Sequence, residues 1–190
     1  MNRRITQTLV IINVLIFSLE ILVGDAVVER FALWPLRHGF AWWQLVTSAF
    51  LHADPTHLLV NMFGLWMFGR DVERALGARY FVQLYFLSAL MAALAQLAVT
   101  ALLQQHEPTL GASGAVFGIL GAFALLYPNR VIVLLIPPIP LPARVFVFLY
   151  AAFELAEGVL GTQAGVAHFA HLGGLAGGLW MVRHWRRRAH

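Results

Sequence analysis

Gly111-Ala112-Ser113-Gly114-Ala115-Val116-Phe117-Gly118 opens an apolar run that continues to Tyr127 and stops at Pro128. At about 1.5 Å per residue, a helix from Ser113 to Tyr127 covers roughly 22 Å, some 8 Å less than a hydrocarbon core of about 30 Å. If this run is a membrane helix, Ser113 starts it below the surface. The backbone before it, Thr109 to Ala112, is then non-helical at membrane depth, which is tolerated only where protein or a water-filled cavity surrounds it. A hydroxyl at the mouth of a buried helix, facing a wet cavity, is the implied arrangement.

The rest of the chain supports the membrane reading. Its 190 residues are 60% hydrophobic and 12% charged, about half the charge of an ordinary soluble domain. The mean hydropathy is +0.74. Six apolar stretches suit spanning helices, near residues 5–23, 56–68, 80–103, 113–127, 145–160 and 165–182. The second has only about a dozen apolar residues and reads as short, like the fourth. The first follows Arg3 and Arg4 as a signal peptide would, but it is longer than such an apolar segment and Val23-Gly24-Asp25-Ala26 is a poor cleavage site, so it reads as retained. Residues 137–142, Pro-Pro-Ile-Pro-Leu-Pro, cannot stay helical and separate the fourth span from the fifth. The first connection, from Gly24 to about Pro55, carries Trp34, Phe40, Trp42 and Trp43 and suits the headgroup level.

All thirteen basic residues counted as Lys or Arg are arginines. With the N-terminus inside, only Arg30 and Arg37 fall outside, so both termini are expected in the cytoplasm of a plasma (inner) membrane. Although the pI is near 10.3, the arginines are scattered between apolar runs and form no nucleic-acid-binding face. The chain has no cysteine, which excludes disulfides, thiolate metal sites and thiol nucleophiles.

The inventory narrows the chemistry further. Absence of lysine excludes a Ser-Lys dyad and Schiff bases, and no His-Glu-x-x-His is present. Asp25, Asp54 and Asp71 lie at or near span ends, which disfavours a buried aspartate pair, and no mid-span carboxylate is expected to serve a transport pathway. Of Ser18, Ser48, Ser88 and Ser113, only Ser113 has small neighbours and the positive end of a helix beside it. Taken alone, Gly-x-Ser-Gly reads more readily as a serine N-cap followed by Gly114-x-x-x-Gly118 helix packing. The last span shifts that balance. His168 and His171 lie three apart on one face before Gly173-Gly174 and Gly177-Gly178, and about six residues from Gly165 bring His171 roughly 9 Å down, to the depth of Ser113. A metal on His52, His57, His168 and His171 is the competing reading, without a recognisable ligand pattern. His57 and Asn61, four apart, share a face near the outer end of the second span; they suit either an oxyanion site or a tie between loop and bundle.

These residues together resemble the rhomboid family of intramembrane serine proteases. Gly111-Ala112-Ser113-Gly114 is similar to its Gly-x-Ser-Gly motif, His57 to Asn61 to its His-x-x-x-Asn motif, and Ala170-His171-Leu172-Gly173-Gly174 with Gly178 to its last-helix motif. The resemblance runs from about Trp43 to Gly178 and implies a single all-α, six-helix membrane domain over residues 1–190, with an interfacial first loop. It implies a serine endopeptidase acting on transmembrane protein substrates within the lipid bilayer, with no cofactor, no metal and no nucleic acid. Ser113 would be the nucleophile and His171 the base; the Ser113 N–H, His57 and Asn61 would hold the oxyanion. Phe117, where the family often has tyrosine, would orient His171, with Gly111 and Gly114 in support. No third carboxylate is implied. Gln44 stands where many members have arginine, which puts the anchoring of the first loop in question, and His168 matches no motif residue. The alternative is a catalytically silent relative that binds membrane clients; a small histidine-lined transporter is the more distant one.

Overall fold

The computed structural model describes residues 4–134, 137–161 and 167–189. Helix α1 (Arg4–Val23) is followed by a first connection that contains α2 (Asp25–Phe31), α3 (Gln44–Thr47) and a 3₁₀ turn at Ser48–Phe50. Helices α4 (Pro55–Leu76), α5 (Ala78–Leu103) and α6 (Ser113–Leu126) come next, then an antiparallel pair β1 (Val131–Val133) and β2 (Pro140–Pro142), then α7 (Ala143–Leu160) and α8 (His168–Ala189). The architecture is a helical membrane bundle with one short strand pair. Helices α1 and α5 each contain a stretch long and apolar enough to cross a bilayer, Ile5–Val23 and Ala78–Leu103.

Helix α6 is apolar all round and is the buried centre of the bundle. It packs against α4, α5, α7 and α8. The paired glycines of α8 explain how it fits there. Gly173 and Gly177, one turn apart, face α5, where a Cβ on Gly173 would come within 2.7 Å of the Met91 carbonyl oxygen. Gly174 and Gly178, one residue further round the helix, lie against the backbone of Gly114 and Gly118 in α6. Two stripes of missing side chains therefore let α8 approach two helices at once, the close-packing geometry that small residues permit in membranes. Outside this core, Ile11, Leu15, Leu22, Phe148 and Val159 are exposed and form apolar surface for lipid.

Two helix ends bear on the expected bounds. Helix α4 runs to Leu76, past the Phe68 expected as the end of the second span, and in that extension Glu73 is buried, its carboxylate accepting hydrogen bonds from the N–H groups of Ile5 and Thr6 and from the Thr6 hydroxyl, at 2.7–3.1 Å. These contacts pin the first turn of α1 to α4. The last helix begins at His168; the start expected at residue 165 lies outside the described residues. The proline-rich segment is non-helical as expected, but its β2 residues form a short ladder with β1 that the sequence reading did not anticipate.

Gln44 resolves the anchoring question of the first connection. It is 2% exposed. Its side-chain oxygen accepts from the Trp34 and Ala41 N–H groups at 3.2 and 3.1 Å, and its amide donates to the Arg30 and Gly39 carbonyls. The neutral amide thus supplies both donors and acceptors to the loop from inside.

Candidate active site

The segment leading into α6 is held by the first connection. Leu33 and Thr109 exchange backbone hydrogen bonds at 2.8 and 2.9 Å, and the Gly111 N–H donates to the Ser48 carbonyl at 2.9 Å. The backbone before Ser113 is therefore non-helical but partnered. Gly111 has φ +130°, which side chains rarely adopt, and a Cβ there would lie 2.8 Å from Cε1 of His57. Glycine is required at this point by conformation and by space.

Ser113 is the first residue of α6, and the N-cap is Ala112. The serine-cap reading fails on that ground: the Ser113 hydroxyl lies 2.9 Å from Nε2 of His171 instead. The first turn also keeps its donors. Val116 N–H makes the bond to Ala112 O, so the N–H groups of Ser113, Gly114 and Ala115 precede the first i to i−4 bond of the helix. His171 is stacked flat on Phe117, with ring centroids 4.4 Å apart and an interplanar angle of 4°.

His57 and Asn61 lie across from this pair on the first turns of α4. Asp54 caps that helix by accepting the His57 N–H at 2.9 Å. The Ala53 N–H donates to Nδ1 of His57 at 3.3 Å, so the neutral ring carries its proton on Nε2, the atom beside Gly111. Asn61 donates one amide proton to the His57 carbonyl at 2.9 Å. His57, Asn61, Ser113, Phe117, Tyr150 and His171 all line a cleft of about 1290 Å³. The remaining supporting residue, Gly114, packs against Ala92 of α5. His52 is outside this cleft lining; burial, with a smaller contribution from nearby His57, holds its imidazole down at about 4.

One residue was missed by the sequence reading. Glu154, on α7, is 3% exposed, and its Oε2 lies 2.8 Å from Nδ1 of His171 and 2.7 Å from Nδ1 of His168. The sequence reading expected neither a third carboxylate nor a mid-span one, and the structure places Glu154, inside the apolar run 145–160, in hydrogen-bond contact with His171. The signal was available, since an acidic residue inside the apolar run 145–160 has to find partners in the protein. The His168 partner is accordingly Glu154, not Ser113.

Residues 39–188 match the Rhomboid domain. The chain belongs to the rhomboid family. Among similar rhomboids, "Rhomboid protein 1, mitochondrial" of Saccharomyces cerevisiae is 40% identical over 132 residues, covering 68% of this chain and 38% of the relative. "RHOMBOID-like protein 4" of Arabidopsis thaliana is 34% identical over 143 residues, 72% of this chain and 32% of the relative. "Presenilin-associated rhomboid-like protein A, mitochondrial" of Danio rerio is 30% identical over 150 residues, 76% and 39% of the two chains. This rhomboid thus spans about a third to two-fifths of the length of these relatives.

Proposed function

We propose that this rhomboid is an intramembrane serine endopeptidase with Ser113 as nucleophile and His171 as general base, cutting transmembrane or membrane-proximal segments of membrane proteins. The observation that carries the reading is the 2.9 Å approach of the Ser113 hydroxyl to His171 Nε2 at the wall of a large cleft. In the first half-reaction the Ser113 oxygen attacks the scissile carbonyl carbon while its proton passes to Nε2 of His171. The oxyanion accepts hydrogen bonds from the Ser113 N–H, His57 Nε2–H and the second amide proton of Asn61. Collapse of the tetrahedral intermediate breaks the C–N bond, and the His171 proton goes to the departing amine. Water then attacks the acyl-enzyme with His171 again as base, which releases the acid product and restores the hydroxyl. Phe117 keeps the imidazole plane aligned through both halves.

The cleft favours this reading over a silent client-binding relative, because serine and histidine are both present and in hydrogen-bond contact. A helical substrate hides its carbonyls in i to i−4 bonds and must unwind before attack, so segments with small or helix-breaking residues near the cut are the expected substrates. We read the whole chain as one six-span domain, with the arginine bias favouring both termini on the same side. The word mitochondrial in two of the relatives' names favours a mitochondrial membrane over the plasma membrane expected from the sequence. Fractionation of a tagged chain tests that choice. For the activity, purified protein is incubated with a single-span reporter and the products are read by mass spectrometry. The wild type cuts at a defined bond and Ser113→Ala does not; equal cleavage by the two removes the assignment.

A further inference from the structure

Glu154 has a role that the Ser113–His171 pair alone does not contain. A carboxylate only accepts hydrogen bonds, so both imidazoles that meet Oε2 of Glu154 do so through Nδ1–H. For a neutral His171 this selects the tautomer with a bare Nε2, and that atom is the one 2.9 Å from the Ser113 hydroxyl. The opposite tautomer would point an N–H at Ser113 and leave two lone pairs facing each other across 2.8 Å at Nδ1. His168 holds the same oxygen from the other side at 2.7 Å. Its own Nε2 is buried without a hydrogen-bond partner among the described residues, so its described polar contact is the one to Glu154.

We propose that Glu154 is a positioning residue for His171: its buried carboxylate, braced by His168, fixes the imidazole orientation and the Nδ1–H tautomer and stabilises the imidazolium formed when Ser113 is deprotonated. This rests on the serine-protease reading above. The carboxylate does not itself take the proton; it acts through His171, as the third member of a Ser-His-acid arrangement does. Stacking on Phe117 fixes the plane of the ring but allows it to be flipped within that plane, and the Glu154 bond removes that freedom.

The same three side chains offer one ligand atom each within 4.8 Å of one another, a set that a zinc ion accepts. A metal there would occupy Nδ1 of His171 and place the proton on Nε2, which disables the base. The two arrangements are mutually exclusive and have opposite consequences.

The test compares wild type, Glu154→Gln and Ser113→Ala on a single-span reporter, with and without EDTA. Imidazole 15N NMR on histidine-labelled wild type accompanies it. Glu154→Gln keeps the volume but can offer His171 an N–H in place of an oxygen. It is expected to lower kcat by about 10²–10⁴-fold, the upper figure being the loss when the acid of a triad becomes an amide, with KM and thermal midpoint near wild type. The NMR spectrum is expected to show His171 protonated at Nδ1 and bare at Nε2. An active wild type with Glu154→Gln within about threefold of its kcat, well under the 10² expected, overturns the proposal and leaves the protease reading standing. Activation by EDTA, with bound zinc that is lost in Glu154→Gln, also overturns it. If Glu154→Gln does not fold, the wild-type tautomer decides, and a proton on Nε2 refutes the assignment. A wild type that cuts no reporter counts against the protease reading, while the tautomer still tests Glu154.

Discussion

Replacing Gly111 by alanine asks whether the backbone entering α6 sets the geometry of the site. Two costs can be worked from the structure. At φ +130° an alanine stores about 1–3 kcal/mol of backbone strain. Its Cβ would also lie 2.8 and 2.9 Å from Cε1 and Nε2 of His57 and 3.6 Å from the Ser113 hydroxyl, whereas ordinary contacts are 3.4–4 Å. The His57 ring must therefore retreat by more than half an ångström, which moves the proposed oxyanion donor and strains its bond from Ala53. A misplacement of about 1 Å costs on the order of 10²-fold in rate. Gly111→Ala is expected to lower the thermal midpoint in detergent and to reduce kcat by one to two orders of magnitude, about 1.4–2.7 kcal/mol of barrier. Comparing Gly111→Ala with His57→Ala and the double variant separates the terms. On a His57→Ala background the clash is gone, so the alanine costs only the backbone strain in stability and almost nothing more in kcat. A Gly111→Ala protein with wild-type midpoint and wild-type kcat would refute the reasoning, and so would equal kcat losses with and without the His57 ring.

Three other outcomes follow from the same geometry. Glu73→Ala removes the acceptor for two backbone N–H groups and one buried hydroxyl, and is expected to destabilise the fold by about 2–4 kcal/mol in chemical denaturation while leaving the rate per folded molecule unchanged. Phe117→Leu loses an aromatic pair worth about 0.5–1.5 kcal/mol and so lowers kcat by up to about tenfold; Phe117→Tyr retains the ring and its rate, and steady-state kinetics of the two variants provide the check. His52 is held at about 4 against an ordinary 6.5, so the unfolded chain binds a proton there before the folded protein does. The stability this gives is complete above pH 6.5 and is lost as pH falls towards 4, by about 3 kcal/mol. Thermal midpoints of wild type and His52→Asn across that range measure it: the variant should have the shallower slope, and parallel curves would exclude His52 as the source.

Much of the architecture was legible in the linear pattern. Apolar runs bounded by glycine, proline and charge mark the long helices, and the run starting at Ser113 forms a helix of 14 residues, fewer than the roughly 20 that a bilayer core takes. The doubled glycines of α8 likewise announce close approach, since helical periodicity makes each i, i+4 pair a bare stripe. Matching depths for Ser113 and His171 could be estimated from residue rise alone, and the two side chains do meet. Hydropathy alone did not mark the end of α4, because its last turns are polar; Glu73 and Gly77, which fit the family's pattern at the inner end of the second span, do mark it, and the structure ends the helix at Leu76 with Gly77 as its C-cap.

What the sequence determined by itself is therefore where the long helices lie, the faces on which small residues fall, and the chemical types each helix carries, because these depend on periodicity and on the cost of polar groups in lipid. Only the tertiary structure decided that Glu154 meets His171 and His168. That contact depends on the rotation and height of α7 against α8, and residues seventeen and fourteen positions apart in the chain acquire a shared hydrogen-bond acceptor only once packing has set both. The role of Gln44 was decided in the same way, by a loop whose carbonyls and N–H groups converge on one buried amide.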